Sequence, residues 1–256
     1  MSVSEFNSPL QANRISTNRM KPAPETYQLP PLMKSRPFGV DEHGRNVGRT
    51  KGTVISSTLK YMLKQVELRT KDAQAVERAE LELVRRLNAA IADPRHHVTL
   101  EYLLNEGNVY SVEFDLYFAE IARQISGQAF DEFHFTRAVN SVPESIAVLV
   151  RPLSLRQVYN LLPRFAAKFA DTDFRVVSVK SNSAVIQWRC AKELQTLPPE
   201  MHNVFIHESC LFVQGSLSHV PTVVSGDVPA KVIEHKCQLW GDDCCEYEFV
   251  CVIMWL

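Results

Sequence analysis

The apolar positions fall into two regimes along the chain. From Gly52 onward Val54, Ile55, Leu59, Met62, Leu63 and Val66 recur every three to four residues, and Ala75, Val76, Ala79, Leu83, Val84, Leu87 and Ile91 form a second such series. This is the period of an amphipathic helix, so two helices are predicted between residues 52 and 92. Asp93-Pro94 ends the second, because proline pushes the residue before it out of helical geometry. Further helical runs cover Val98 to Leu104 and Val109 to Ile125, the latter with Gly127 where a left-handed C-terminal cap would sit.

After that the period shortens. Ser145 to Val150 reads as a short apolar strand, and Ser154 to Ala170 as a helix that Pro163 can kink. Phe174 to Val179 and Ser183 to Trp188 alternate around Lys180-Ser181-Asn182, a hairpin pattern. Met201 to Val224 is apolar over helical length. Ala230 to Leu239 and Glu246 to Trp255 flank the turn Trp240-Gly241-Asp242-Asp243 as a closing antiparallel hairpin. Helices gathered ahead of a meandering sheet predict an α+β fold, with N-terminal helices packed on a C-terminal antiparallel sheet.

Residues 1–50 lack this periodicity. Pro22, Pro24, Pro30, Pro31 and Pro37 interrupt any helical repeat, which predicts a flexible N-terminal arm ahead of a domain spanning 51–256. The final strand runs into Leu256 without a cap or polar tail, which predicts a domain truncated before a further output domain.

Charge narrows the partners. With 28 Lys+Arg against 29 Asp+Glu there is no global field to recruit nucleic acid or an anionic membrane. The first 14 residues have no apolar core of the kind a secretory signal requires, and no stretch approaches the ~20 apolar residues of a membrane span. A cytoplasmic location is the expectation. Thiols stay reduced there, so the six cysteines, all at or after Cys190, are read as metal ligands, reactive groups or small core residues before disulfides.

Four residues form a spaced set, Cys210, Glu234, Cys237 and Cys245, in the pattern C-x23-E-x2-C-x7-C. Three thiolates and a carboxylate suit tetrahedral zinc, and four protein ligands would leave no open position, so such an ion would be structural. Cys237 ends one predicted strand and Cys245 begins the next, so the Gly241-Asp242-Asp243 turn would bring their sulfurs together. The alternative is that these cysteines are small buried hydrophobes in a hairpin. Cys244 should point to the opposite face from Cys245, so only one of the two can be a ligand.

The run from Glu234 through Cys237, Gly241-Asp242 and Cys245 to Phe249 resembles the closing signature of vinyl-4-reductase domains. Together with Cys210 and Gly215 it also resembles the ligand-sensing domains of phenol-responsive activators, with about one residue more between Cys210 and Glu234. Lys51 to Tyr61 is similar to the opening helix shared by vinyl-4-reductase domains, haem-nitric-oxide sensors and TRAPP-type vesicle-tethering subunits, and Leu153 to Trp188 fits the central helix and hairpin of that fold. The resemblance implies zinc held by Cys, Glu, Cys and Cys. It further implies a small apolar or aromatic ligand bound between helices and sheet, and a fused output domain such as a cyclase, kinase or transcriptional activator.

Among the aromatic and histidine residues, Trp188 and His207 are the predicted pocket-lining residues, and core filling is the competing role for both. A haem sensor of the same superfamily would need an axial histidine and a Tyr-x-Ser-x-Arg motif. The motif is missing here, and His134 is the candidate iron ligand that remains. A ligand-free dimerisation or scaffold module of the TRAPP-like type is the alternative function, with the helices of 52–92 as its partner surface. A homodimer is expected in either case. No Gly-rich phosphate loop, HExxH pair, nucleophile elbow or dinucleotide fingerprint is visible, so catalysis is not expected.

Overall fold

A computed structural model describes residues 14–15, 27–45, 47–141, 144–166 and 173–251. The two helices expected between 52 and 92 are α1 (Gly52–Thr70) and α2 (Ala73–Ala89). Lys71 ends α1 in the left-handed region at φ 53°, and Asp72 caps α2 by accepting from the Gln74 amide. A 3-10 turn at Pro94–His96 and the short α3 (Leu100–Leu104) follow.

The helix predicted over Val109 to Ile125 divides. Val109–Ser111 is a strand, β3, paired antiparallel with β2 (Gly48–Lys51), and only then does α4 (Val112–Ser126) begin. The Ser111 hydroxyl fixes that boundary by accepting from the Phe114 amide, the local bond that favours serine at a helix N-terminus. Gly127 ends α4 at φ 76°, as its placement in the sequence predicted. Next come α5 (Phe130–Val139) and α6 (Glu144–Val150). The latter corrects the expected strand over Ser145 to Val150: a short apolar run carries no period that separates a strand from a buried helical turn.

Helix α7 (Leu155–Ala166) contains Pro163, and the rest of the helix expected to reach Ala170 lies outside the described residues. The hairpin β4 (Asp173–Val179) and β5 (Ser183–Arg189) follows. Then come α8 (Ala191–Leu194), the long α9 (His202–Ser218), the short α10 (Val220–Ser225), and β6 (Lys231–Lys236) with β7 (Cys245–Val250). The sheet has the order β6-β7-β5-β4, all antiparallel, and β6 also pairs in parallel with the two-residue β1 (Arg14–Ile15). The fold class is α+β, as expected. The stretch from 252 to Leu256, on which the truncation was read, lies outside the described residues.

One face of the sheet is apolar by alternation. Ala184, Ile186 and Trp188 of β5 stand opposite Phe249, Tyr247 and Cys245 of β7, and all six are buried. Helix α9 lies between this face and α5, and its all-round burial follows from a composition that is apolar on every side. The chain before α1 is not wholly detached: from Tyr27 it packs on the domain. Met33 joins the core, the Lys34 and Ser35 amides donate to the buried Glu113 carboxylate, and the Tyr117 hydroxyl donates to the Pro30 carbonyl. The proline pattern broke the helical period there without preventing an extended segment from packing.

Gly215 sets the spacing of α9 and α5. A Cβ at this position would lie 2.3 Å from the Phe135 carbonyl oxygen and 3.0 Å from the Ala138 Cβ, so only glycine permits the approach. Gly215→Ala therefore forces the helices apart and lowers unfolding free energy by about 1–3 kcal/mol, read from urea denaturation.

Candidate functional site

Helix α9 presents two chemical faces. Phe205, Glu208, Ser209, Phe212, Val213 and Ser216, spaced at three and four residues, line a cavity of about 220 Å³. Its other walls come from Val158, Leu162 and Phe165 of α7, Phe174 and Trp188 of the sheet, Val54 of α1 and Val112 and Leu116 of α4. The lining is mostly apolar; its charged residues are Arg49, Asp115, Arg137, Glu193 and Glu208, of which Asp115, Arg137 and Glu208 lie together. By comparison, a cavity of roughly 150 Å³ lined by Leu, Ile and Phe holds benzene.

Asp115, Arg137 and Glu208 form a buried network. Arg137, 2% exposed at its side chain, ion-pairs with Glu208 through Nη2 and lies 3.7 Å from Asp115 through Nη1. Its guanidinium carbon lies 5.2 Å from the centre of the Phe212 ring, a cation–π contact on the cavity wall. Burial pushes Glu208 up to about 8 and raises Asp115, in each case against the opposing field of Arg137.

Of the two predicted pocket residues, Trp188 lines this cavity and His207 does not. His207 falls off the helical series that faces the cavity and turns toward α5 and the N-terminal segment. There Nδ1 is 3.1 Å from the Tyr27 hydroxyl and Nε2 is 3.4 Å from Asp131 Oδ1. His134 is fully buried on α5, against Phe130 and 3.6 Å from Glu208 Oε1, and is not part of the cavity lining. Among the described residues the cavity wall carries no histidine, cysteine or tyrosine, the side chains that ligate haem iron. The donor set of this cavity therefore does not fit haem.

The second face of α9 meets the hairpin. Cys210 Sγ lies 3.3 Å from Cys245 Sγ and 3.7 Å from Cys237 Sγ, and all three are buried, outside any disulfide and within 4.8 Å of one another. Zinc–sulfur bonds of about 2.3 Å in a tetrahedron set sulfurs about 3.8 Å apart, so the spacing fits a shared ion. Glu234 is not within that tight group. It lies on β6 opposite Tyr247, on the face turned to α9, with Oε1 3.5 Å from Gln214 Nε2, one helical turn after Cys210. The buried Tyr247 phenol is raised well above its usual value by burial first, then by the fields of Cys210, Cys245, Glu234 and Cys237. Cys244 stands apart with its thiol 3.6 Å from Asp243 Oδ1, and Cys190 is buried against Gln238, its thiol pushed up to about 12 by burial.

Cavity and thiol cluster share a wall, because Trp188 and Cys245 are directly paired across β5 and β7. The charged floor left no sequence signal: Asp115, Arg137 and Glu208 lie on three different helices, and each alone reads as a surface charge.

No protein-family model matches the chain, and no curated protein matches it. Among solved structures the chain is similar to the Fe(II) unliganded H-NOX protein from K. algicida, with a TM-score of 0.48 at 12% identity over 80% of this chain and 98% of that one. It is also similar to an H-NOX protein from S. oneidensis in the Fe(II)NO ligation state, with a TM-score of 0.43 at 12% identity over 76% and 97% of the two chains. Likeness at this level is too low for function to be carried across. No helix of the described residues is long and apolar enough to cross a membrane.

His134 is held well below its usual value of 6.5, by burial first and then by Arg137, Arg123 and His207. The unfolded chain therefore binds more protons than the folded one below pH 6.5, and the stability that His134 contributes above that pH is lost as pH falls. Melting temperature should drop from pH 6.5 to pH 5 by less in His134→Asn than in the parent chain; an equal drop would show that His134 is not the titrating group.

Proposed function

We propose that this chain is a small-molecule-sensing regulatory domain. An apolar or aromatic ligand occupies the cavity between α7, α9 and the sheet, and a structural zinc holds the β6–β7 hairpin. The observation that carries this reading is the mostly apolar cavity, with a few charged groups in its lining and Trp188 in its wall. A domain serving only as a scaffold has no use for such space, since interiors pack to crystal-like density.

Cys210, Cys237 and Cys245 would hold the zinc as thiolates, with Glu234 as the fourth ligand. Bound there, the ion supplies cross-linking and no open coordination position. The hairpin is otherwise joined by β pairing and the short turn at Gln238–Trp240, so fixing both of its ends to α9 stabilises the sheet beneath the cavity. Ligand entering between α9 and β5 pushes on Trp188, and Trp188 is the cross-strand partner of Cys245. The change passes along β7 to an output domain, with a homodimer in the cytoplasm as the working form.

Two measurements test this. Elemental analysis of the purified chain should find one zinc per chain, reduced severalfold in Cys237→Ser together with a large fall in melting temperature, because structural zinc affinity is folding free energy. A metal-free parent chain with the melting temperature of the variant would contradict the zinc assignment. Toluene should raise the melting temperature of the parent chain, and Val213→Trp, which fills the cavity, should abolish that rise. No rise in the parent chain would contradict the ligand assignment.

A further inference from the structure

On the cavity face of α9 stands a hydroxyl that is both accessible and without a partner. Glu208 and Cys210 on either side of it are buried, whereas Ser209 is half-buried and lines the cavity. Its hydroxyl makes no hydrogen bond with any described residue and is not sealed inside the protein. Other helical hydroxyls donate to a carbonyl of their own helix: Ser57 to Val54, Thr70 to Val66, Ser126 to Arg123 and Ser225 to Pro221. Ser216, two turns further along the same face, donates across to the Ala138 carbonyl of α5 at 3.5 Å. Back-bonding occupies the proton of a serine within a helix, so at Ser209 that proton is left available to whatever fills the cavity.

We infer that Ser209 is the specificity-determining hydrogen-bond donor of the cavity, which takes an uncharged aryl ketone or aldehyde: a ring against the apolar wall and one carbonyl oxygen that accepts from Ser209 Oγ–H. The inference rests on reading the cavity as a ligand site. The side chains beside Ser209 on this face, Phe205, Phe212 and Val213, are apolar, and the Phe205 and Trp188 ring centres lie 6.4 Å apart, a wall that suits a flat ring. A carbonyl oxygen takes the serine proton and brings no hydrogen that needs an acceptor in turn. Charge is disfavoured, because Arg137 is already paired with Glu208 and Asp115, and a lone hydroxyl cannot neutralise an ion taken out of water.

Isothermal titration with four probes on one phenyl ring, acetophenone, cumene, α-methylbenzyl alcohol and benzoate, tests it. Acetophenone should bind the parent chain more tightly than the alcohol or the carboxylate. Ser209→Ala should weaken acetophenone about fivefold, the worth of one neutral hydrogen bond, and leave cumene, which has the same shape without the oxygen, unchanged. Acetophenone affinity unmoved in Ser209→Ala, or tighter binding of the alcohol or the carboxylate, overturns the inference while cumene binding keeps the cavity reading intact. Failure of all four probes to bind the parent chain overturns both.

Discussion

Helix α9 is packed between α5 and the sheet, and the rest of the molecule is arranged around that constraint. Gly215 lets α9 approach the α5 backbone, which brings Glu208 onto Arg137 on one side and leaves Cys210 facing the hairpin on the other. The same helix supplies one wall of the cavity. A helix this buried cannot shift alone. Any displacement must be shared with the ion network, the cavity lining and the thiol cluster, since packed interiors transmit strain.

This gives physical content to the proposed sensing. The cavity is a partly open, mostly apolar hollow, so an occupant would make new contacts along α7, α9 and β5. Trp188 stands at the junction because its β5 position is paired with Cys245. A ligand that presses on Trp188 acts on a strand whose end carries a proposed metal ligand. In the reverse direction, a hairpin fixed by metal defines how far β5 can move. Coupling of this kind is reciprocal between the two sites.

Much of the fold was legible from period alone. Helices α1, α2, α4 and α9 and the two hairpins follow from three-to-four and two-residue spacing, because each buries a single regular face or is apolar throughout. The misses have local causes. Val109–Ser111 and Glu144–Val150 are too short to display a period, and the packed stretch 27–45 runs through turns without a period, so it resembles linker. At the site, the spacing of Cys210, Cys237 and Cys245 carried through to three adjoining thiols, since a hairpin and one helix suffice to gather them. His207 lies toward α5 and not in the cavity wall, because one helical position decides between the two. The Arg137, Asp115 and Glu208 cluster is a product of tertiary packing and has no sequence pattern.

The most direct test of the account is the zinc affinity of the intact chain, measured by competition with a chromophoric chelator with and without saturating toluene. If cavity and hairpin act as one unit through Trp188 and Cys245, the ligand should change zinc affinity about fivefold or more. Equal zinc affinity in both conditions, with toluene bound, would contradict it.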